Sequence, residues 1–189
     1  MPDRPDWDPG RYRPLLCLLA HQLRLDARVR RRFDSSDVAQ EALTRACEEL
    51  PEFRGTTEAE FVAWLQKILA NRAIDMIRRE GAARRDVALE QSIHNGLRDS
   101  SERLKQLADR TASPSEQAAG RELLVRVPEA IEQLPEDQRE VVLLRDLQGL
   151  PVAEIAARLG RTEKSVAGFL RRGRRRLAEI LDAYRMRGT

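Results

Sequence analysis

Between Val152 and Leu181 the sequence runs VAEIAARLGRTEKSVAGFLRRGRRRLAEIL, two amphipathic helical stretches broken at Gly160. Ala156 stands four residues before Gly160, and Val166 six residues after it. Two helices crossing at a tight turn need a small residue at the crossing, a flexible residue in the turn and a branched apolar residue to seat the second helix. Ala156, Gly160 and Val166 meet those needs, with Leu159 and Leu170 as further core contacts. The spacing predicts a helix-turn-helix whose second helix starts at Thr162, a residue type that caps helix N-termini. An amphipathic hairpin that happens to hold a glycine is the plainer reading.

Charge separates the two readings. From Arg161 to Arg176 there are seven Lys or Arg against one acid, Glu163, although the whole chain carries only +3. Phosphate neutralisation dominates nucleic-acid affinity, so a local basic face points to DNA. Part of the run also fits a solvated face. Gly168 and Gly173 inside this helix each cost about 1 kcal/mol relative to alanine. Gly168 is read as permitting close approach to a neighbour or a DNA backbone; Gly173 has no assigned place.

Other function classes find little support. His21 and His94 stand in unlike contexts, with no metal-ligand spacing or nucleophile motif beside them, so no enzyme, metal site or cofactor is expected. Cys17 and Cys47 make no CxxC pattern and are read as core thiols. No stretch approaches the roughly 18 apolar residues of a membrane span, and the N-terminus lacks a signal-peptide pattern. A cytoplasmic location is expected.

With 34% charged and 4% aromatic residues, rich in Arg, Ala, Leu and Glu, the chain favours helices. Residues 11–32 read as one helix. The next helix starts near Asp34, with Asp37 in its first turn, and stops at Pro51; Val38, Ala42, Ala46 and Leu50 form its apolar line, and Asp37, Gln40, Glu41, Thr44 and Glu48 its exposed side. A loop, PEFRGTT, precedes a helix capped by Thr57 with Glu60 in a capping box. Phe61, Leu65, Ile68, Leu69, Ala73, Met76 and Ile77 form its core stripe; Lys67, Asn71, Asp75 and Arg78 lie opposite. Residues 81–112 are polar and weakly periodic, and read as a linker with short helices. Ser113, Pro114 and Glu116 restart order, Pro128 breaks or kinks that helix, and helices follow near 129–133, 135–147 and 152–159. The expected fold is all-α: two helical domains, 11–80 and 113–185, joined by a flexible linker, 81–112.

The first half resolves which kind of DNA-binding protein this is. FDSSDVAQEALTRACEELPEFRGTTEAEFVAWLQKILANRAIDMIRRE resembles region 2 of the extracytoplasmic-function (group IV) sigma factors of bacterial RNA polymerase. IEQLPEDQREVVLLRDLQGLPVAEIAARLGRTEKSVAGFLRRGRRRLAEIL resembles their region 4. The two stretches cover about half the chain, in the family's order.

The resemblance implies a transcription initiation factor with no catalytic chemistry, partnered by core RNA polymerase and promoter DNA, and in many members by an anti-sigma factor. It implies that Asp34, Asp37, Gln40 and Glu41 dock on the polymerase, although their spacing alone fits a solvated face. It places Phe53, Arg54 and Gly55 in a loop that captures a flipped base of the −10 element, where stacking and hydrogen bonds offset the cost of extrusion. Lys67, Asn71, Arg72, Arg78 and Arg79 match the DNA-facing side of the following helix. Trp64 suits core packing or nucleic-acid contact equally, and Asp75, which matches a common family position, suits pairing with Arg72 or Arg79 equally well. Arg161, Thr162, Lys164, Ser165, Arg171 and Arg172 match the helix that reads the −35 element. There the chain departs from the family: Ala167, Gly168 and Phe169 offer few polar groups to base edges, which favours backbone contacts. The alternative is a stand-alone helix-turn-helix regulator acting without polymerase.

Overall fold

Carboxylates in the first turn fix where two of the helices begin. In the computed structural model, which describes residues 7–23, 34–79, 87–111 and 123–187, Asp37 accepts a hydrogen bond from the backbone N–H of Asp34 at 3.1 Å and starts α2 (Ser35–Glu49). Glu60 accepts from the N–H groups of Thr56 and Thr57 at 2.9 and 3.0 Å, while its own N–H donates to the Thr57 hydroxyl oxygen at 3.3 Å. That reciprocal pair starts α3 (Glu58–Arg79).

The chain divides into two compact units, residues 1–99 and 100–189. Among the described residues all regular structure is helical, with eight α-helices and no strand; the expected all-α class is the one adopted. In the first unit a 3-10 turn, Pro9–Tyr12, leads into α1 (Arg13–Gln22). Helices α1, α2 and α3 pack on one another. Their shared core holds Leu15, Leu16, Leu19, Val38, Ala42, Ala46, Phe61, Leu65 and Leu69, each without appreciable exposure. Leu23 adopts an extended ψ of 123° and ends α1 sooner than the expected 11–32 span; residues 24–33 lie outside the description.

One cysteine departs from expectation. Cys47 is exposed and Cys17 only half-buried. The buried line of α2 passes through Val38, Ala39, Ala42, Leu43 and Ala46, and position 47 lies one residue beyond it.

The expected linker also differs. Residues 87–111 form a single helix, α4 (Val87–Thr111), rather than short pieces. Its buried positions, Ile93, Leu97, Ser100, Leu104 and Leu107, recur at helical spacing. A serine in the stripe and Gly96 beside it hid the period from hydropathy. The caps expected at Ser113–Glu116 fall outside the described residues.

In the second unit α5 (Leu123–Glu132), α6 (Glu136–Val142) and α7 (Val152–Leu159) accompany the long α8 (Glu163–Arg187). Pro128 lies inside α5 without ending it, so of the expected break or kink the break does not occur. Its buried neighbours Val127, Ala130 and Ile131 hold the helix together across the missing N–H. Helix α6 widens into a π turn, Leu143–Leu147, closed by the Gln148 N–H donating to the Leu143 carbonyl at 3.0 Å.

Gly160 ends α7 with φ +61°, a left-handed conformation in which glycine avoids the Cβ penalty. Its N–H and that of Arg161 return to the carbonyls of Ala157 and Ala156, at 3.4 and 3.0 Å, the Schellman pattern. The Thr162 hydroxyl then accepts from the Ser165 N–H at 3.2 Å and opens α8.

Gly173 has a structural place that periodicity did not reveal. It lies on the buried line Val166, Leu170, Gly173, Leu177 and Leu181, where α8 crosses α6. A Cβ there would stand 2.9 Å from Val142 Cγ2 and 3.3 Å from Gln138 Cβ. Gly168 points the other way, its added Cβ meeting only the Arg172 guanidinium.

Two predictions follow from these contacts. Gly173→Ala should destabilise the fold by about 1–2 kcal/mol through overpacking, while Gly168→Ala should stabilise it by about 0.5–1 kcal/mol through helix propensity, both read by urea denaturation. The hydrogen bonds from the Thr56 and Thr57 N–H groups, and then the Thr57 hydroxyl, hold the Glu60 carboxyl below its ordinary pKa. A carboxylate depressed on folding stabilises above its unfolded pKa, about 4.3, and that contribution disappears as pH falls through the folded value. Wild type should therefore lose more stability than Glu60→Gln on acidification through that range; parallel profiles would contradict the cap assignment.

Candidate nucleic-acid interface

The helix-turn-helix sets an outward face on α8. With Val166, Leu170, Gly173 and Leu177 turned inward, Lys164, Arg171 and Arg175 are exposed on the opposite side. The basic run is not uniform. Arg174 reaches Asp146 of the π turn with Nε 3.1 Å from Oδ2, and Nη2 pairs with Oδ1. Asp146 is only 3% exposed, and its hydrogen bond pushes the Arg174 pKa up against the opposing effect of burial. Arg174 therefore serves the fold.

Arg175 and Arg176 pair with Glu179 at 3.5 and 3.4 Å. Arg161 donates to Asp137 at 2.6 Å. Among the described residues Lys164 and Arg171 form no ion pair, and both are exposed to solvent. Thr162 and Ser165 sit together at the N-terminus of α8, and their mutual hydrogen bond fixes the first turn. The Arg172 guanidinium lies over the Phe169 ring, 4.9 Å from its centroid, and Arg161 over the same ring at 5.0 Å.

In the first unit the expected base-capture loop is built around an aromatic cluster. Phe53 is 8% exposed and packs against Phe61 and Trp64, with ring centroids 5.3 and 5.0 Å apart. Its ring is committed to the core. Trp7 stacks on Phe61 at 4.7 Å, a contribution from the N-terminal stretch that periodicity could not register. Gly55 faces the Phe53 ring where a Cβ would collide, so its lack of a side chain serves packing. Arg54 remains exposed, its guanidinium donating to the Pro51 carbonyl at 2.7 Å. Trp64 is half-buried against both phenylalanines.

On α3, Lys67 and Asn71 are exposed, and Asp75 pairs with Arg72 at 3.3 Å and Arg78 at 3.9 Å. The Asp75–Arg79 pairing left open by spacing is replaced by Arg79–Glu41, at 3.9 Å. Arg78 also pairs with Glu90 at the start of α4. Asn71, Arg72, Asp75, Arg78, Glu90 and His94 line a cleft of about 350 Å³. The part played by Glu90 depends on α4 returning to α3, and nothing in local sequence signals it.

Asp34, Asp37, Gln40 and Glu41 lie together at the N-terminal half of α2, three exposed and Glu41 half-buried. Asp37 is partly occupied by the cap, and Glu41 by Arg79. Among the described residues no helix is long and apolar enough to cross a membrane.

Comparison with known proteins assigns these features to a family. The sigma-70 region 2 model matches residues 10–83, and the sigma-70 region 4 model matches residues 124–177. RNA polymerase sigma factor CnrH of Cupriavidus metallidurans is 31% identical over 150 residues, covering 79% of this chain and 74% of the relative. ECF RNA polymerase sigma factor SigM of Mycobacterium tuberculosis is 32% identical over 148 residues, 78% of this chain and 64% of the relative. ECF RNA polymerase sigma-E factor of Escherichia coli is 35% identical over 125 residues, 66% and 61%. The chain belongs to the sigma-70 family, among its extracytoplasmic-function RNA polymerase sigma factors. It spans less than two thirds of the length of SigM and of sigma-E.

Arg174→Met should cost about 2 kcal/mol, because it leaves the buried Asp146 carboxylate without its charged partner. Arg171→Met should leave stability within about 0.5 kcal/mol of wild type. Equal urea midpoints for the two variants would refute the division of the basic run into structural and outward members.

Proposed function

We propose that this chain binds core RNA polymerase in the cytoplasm, brings it to promoters and stabilises the opened −10 strand. The observation carrying this is the pairing, within one chain, of a region 2 unit with an acidic outward face and a region 4 unit with a basic one. Asp34, Asp37, Gln40 and Glu41 are the polymerase-docking residues of this reading. Arg54 with Gly55, and Trp64, Lys67, Asn71, Arg72, Arg78 and Arg79, form the −10 surface. Phe53 supports that surface from the core instead of contacting a base. Arg161, Thr162, Lys164, Ser165, Arg171 and Arg172 meet the −35 duplex.

The ion pairs bear on how such a surface would engage DNA. Arg78 faces Glu90 and Asp75, so a phosphate reaching it must compete with carboxylates. Exposed pairs of this kind contribute only about 0–1 kcal/mol, and a polyanion displaces them readily. Holding both DNA-binding units on one chain makes the second contact intramolecular. An anti-sigma factor is the third partner of this reading, covering one of these faces until released.

The test is complex formation with core RNA polymerase by size-exclusion chromatography. Because Asp37 also caps α2, charge reversal is better placed at Gln40→Arg/Glu41→Arg, with circular dichroism to verify folding. Wild type should co-elute and the folded variant should not. Co-elution of both would remove the docking face from α2. Absence of any complex, with tight duplex binding by the chain alone, would favour the stand-alone regulator.

A further inference from the structure

Phe169 falls in sequence between Ser165 and Arg171, two residues assigned to the −35 duplex, and lies on the flank between the inward line of α8 and its exposed face. It is half-buried, lies four residues after Ser165 and three before Arg172, and carries guanidiniums from two separate places. Arg161 arrives from the turn before α8, Arg172 from one turn further along the helix. Their Cζ atoms stand 5.0 and 4.9 Å from the ring centroid, within the range of a cation–π contact.

Two neighbours border the arrangement. Asp137 fixes Arg161 from the side, Oδ1 to Nη2 at 2.6 Å. Gly168 lies beneath Arg172, where an added Cβ would meet the guanidinium at ordinary van der Waals contact, 3.4 Å from Nη1.

We infer that Phe169 is a positioning residue, whose ring presents Arg161 and Arg172 as a preorganised pair to the phosphates of duplex DNA. This rests on the reading of α8 as the −35 helix. A guanidinium stacked on a ring uses its flat face and keeps its in-plane N–H groups for a phosphate, at Arg161 those that Asp137 does not take. Long arginine side chains lose rotamer freedom on binding; the ring removes part of that loss beforehand. Phe169 thereby acts through two other residues.

Phosphate recognition is sequence-independent, so a fluorescein-labelled duplex of mixed sequence is a sufficient probe. Its anisotropy with the full-length chain, titrated at low salt, gives the affinity. Phe169→Tyr should bind like wild type. Phe169→Leu keeps an apolar side chain without the π face and should bind about fivefold more weakly. In the Arg161→Ala/Arg172→Ala background the same Leu substitution should have no further effect. Gly168→Ala, whose Cβ would meet the Arg172 guanidinium only at van der Waals distance, should raise the melting temperature and leave DNA binding within about twofold of wild type.

Wild-type affinity in Phe169→Leu, or an undiminished loss in the double-arginine background, would overturn the inference. If instead the wild-type chain bound the duplex with no dependence on Arg161, Lys164, Arg171 or Arg172, the reading of α8 itself would fall, a different result from failure at Phe169. Melting curves for each variant separate unfolding from lost affinity.

Discussion

The crossing of α8 over α6 at Gly173 governs the second unit. A Cβ on Gly173 would stand 2.9 Å from the Val142 side chain, so the packing there admits one only if a neighbour shifts. One residue later, Arg174 fastens to the buried Asp146. These two adjacent contacts, one steric and one electrostatic, fix the rotation of α8 about its axis. Rotation decides function here, since a helix with basic residues on several sides has a defined reading face only when one side is pinned. Once Gly173 is held inward, Lys164, Gly168 and Arg171 must face out.

The first unit reaches definition by different means. Its helices begin at carboxylate caps, and its exposed loop is supported by aromatic packing. Phe53, Phe61, Trp64 and Trp7 enclose the base of the segment that carries Arg54 and Gly55. A loop expected to grip a nucleotide gains from such a foundation, because few degrees of freedom remain to be lost on binding. The same economy recurs in α8, where Phe169 sits beneath Arg161 and Arg172. In both places aromatic rings lie below the polar groups assigned to DNA.

Charge in this protein is distributed with internal balance. Arg72 and Arg78 share Asp75, Arg79 meets Glu41, and Arg161 meets Asp137. Most of these pairs are exposed and weak. Their effect is to hold the long side chains near the surface in ordered positions, available to a stronger anion. Arg174 is the exception, since its partner is buried; exchanging Asp146 for a phosphate would uncover a carboxylate in the core.

Much of this was legible in the sequence. The periods of α2 and α3, the caps at Asp34 and Thr57, the turn at Gly160 and the start of α8 at Thr162 rest on interactions between residues close in the chain, so residue type and spacing determine them. The family resemblance followed from the same local patterns. What tertiary structure alone decided involves partners far apart: Gly173 against Val142, Arg174 with Asp146, Trp7 on Phe61, Glu90 with Arg78, and Arg161 joined to Arg172 through Phe169. The long α4 belongs with these, since its stripe is visible only once burial marks Ser100 as an inward position. Local sequence specifies which segments coil and which carry charge. It does not specify how closely two helices approach or the pairing of distant carboxylates, because both arise from packing surfaces that exist only after the helices meet.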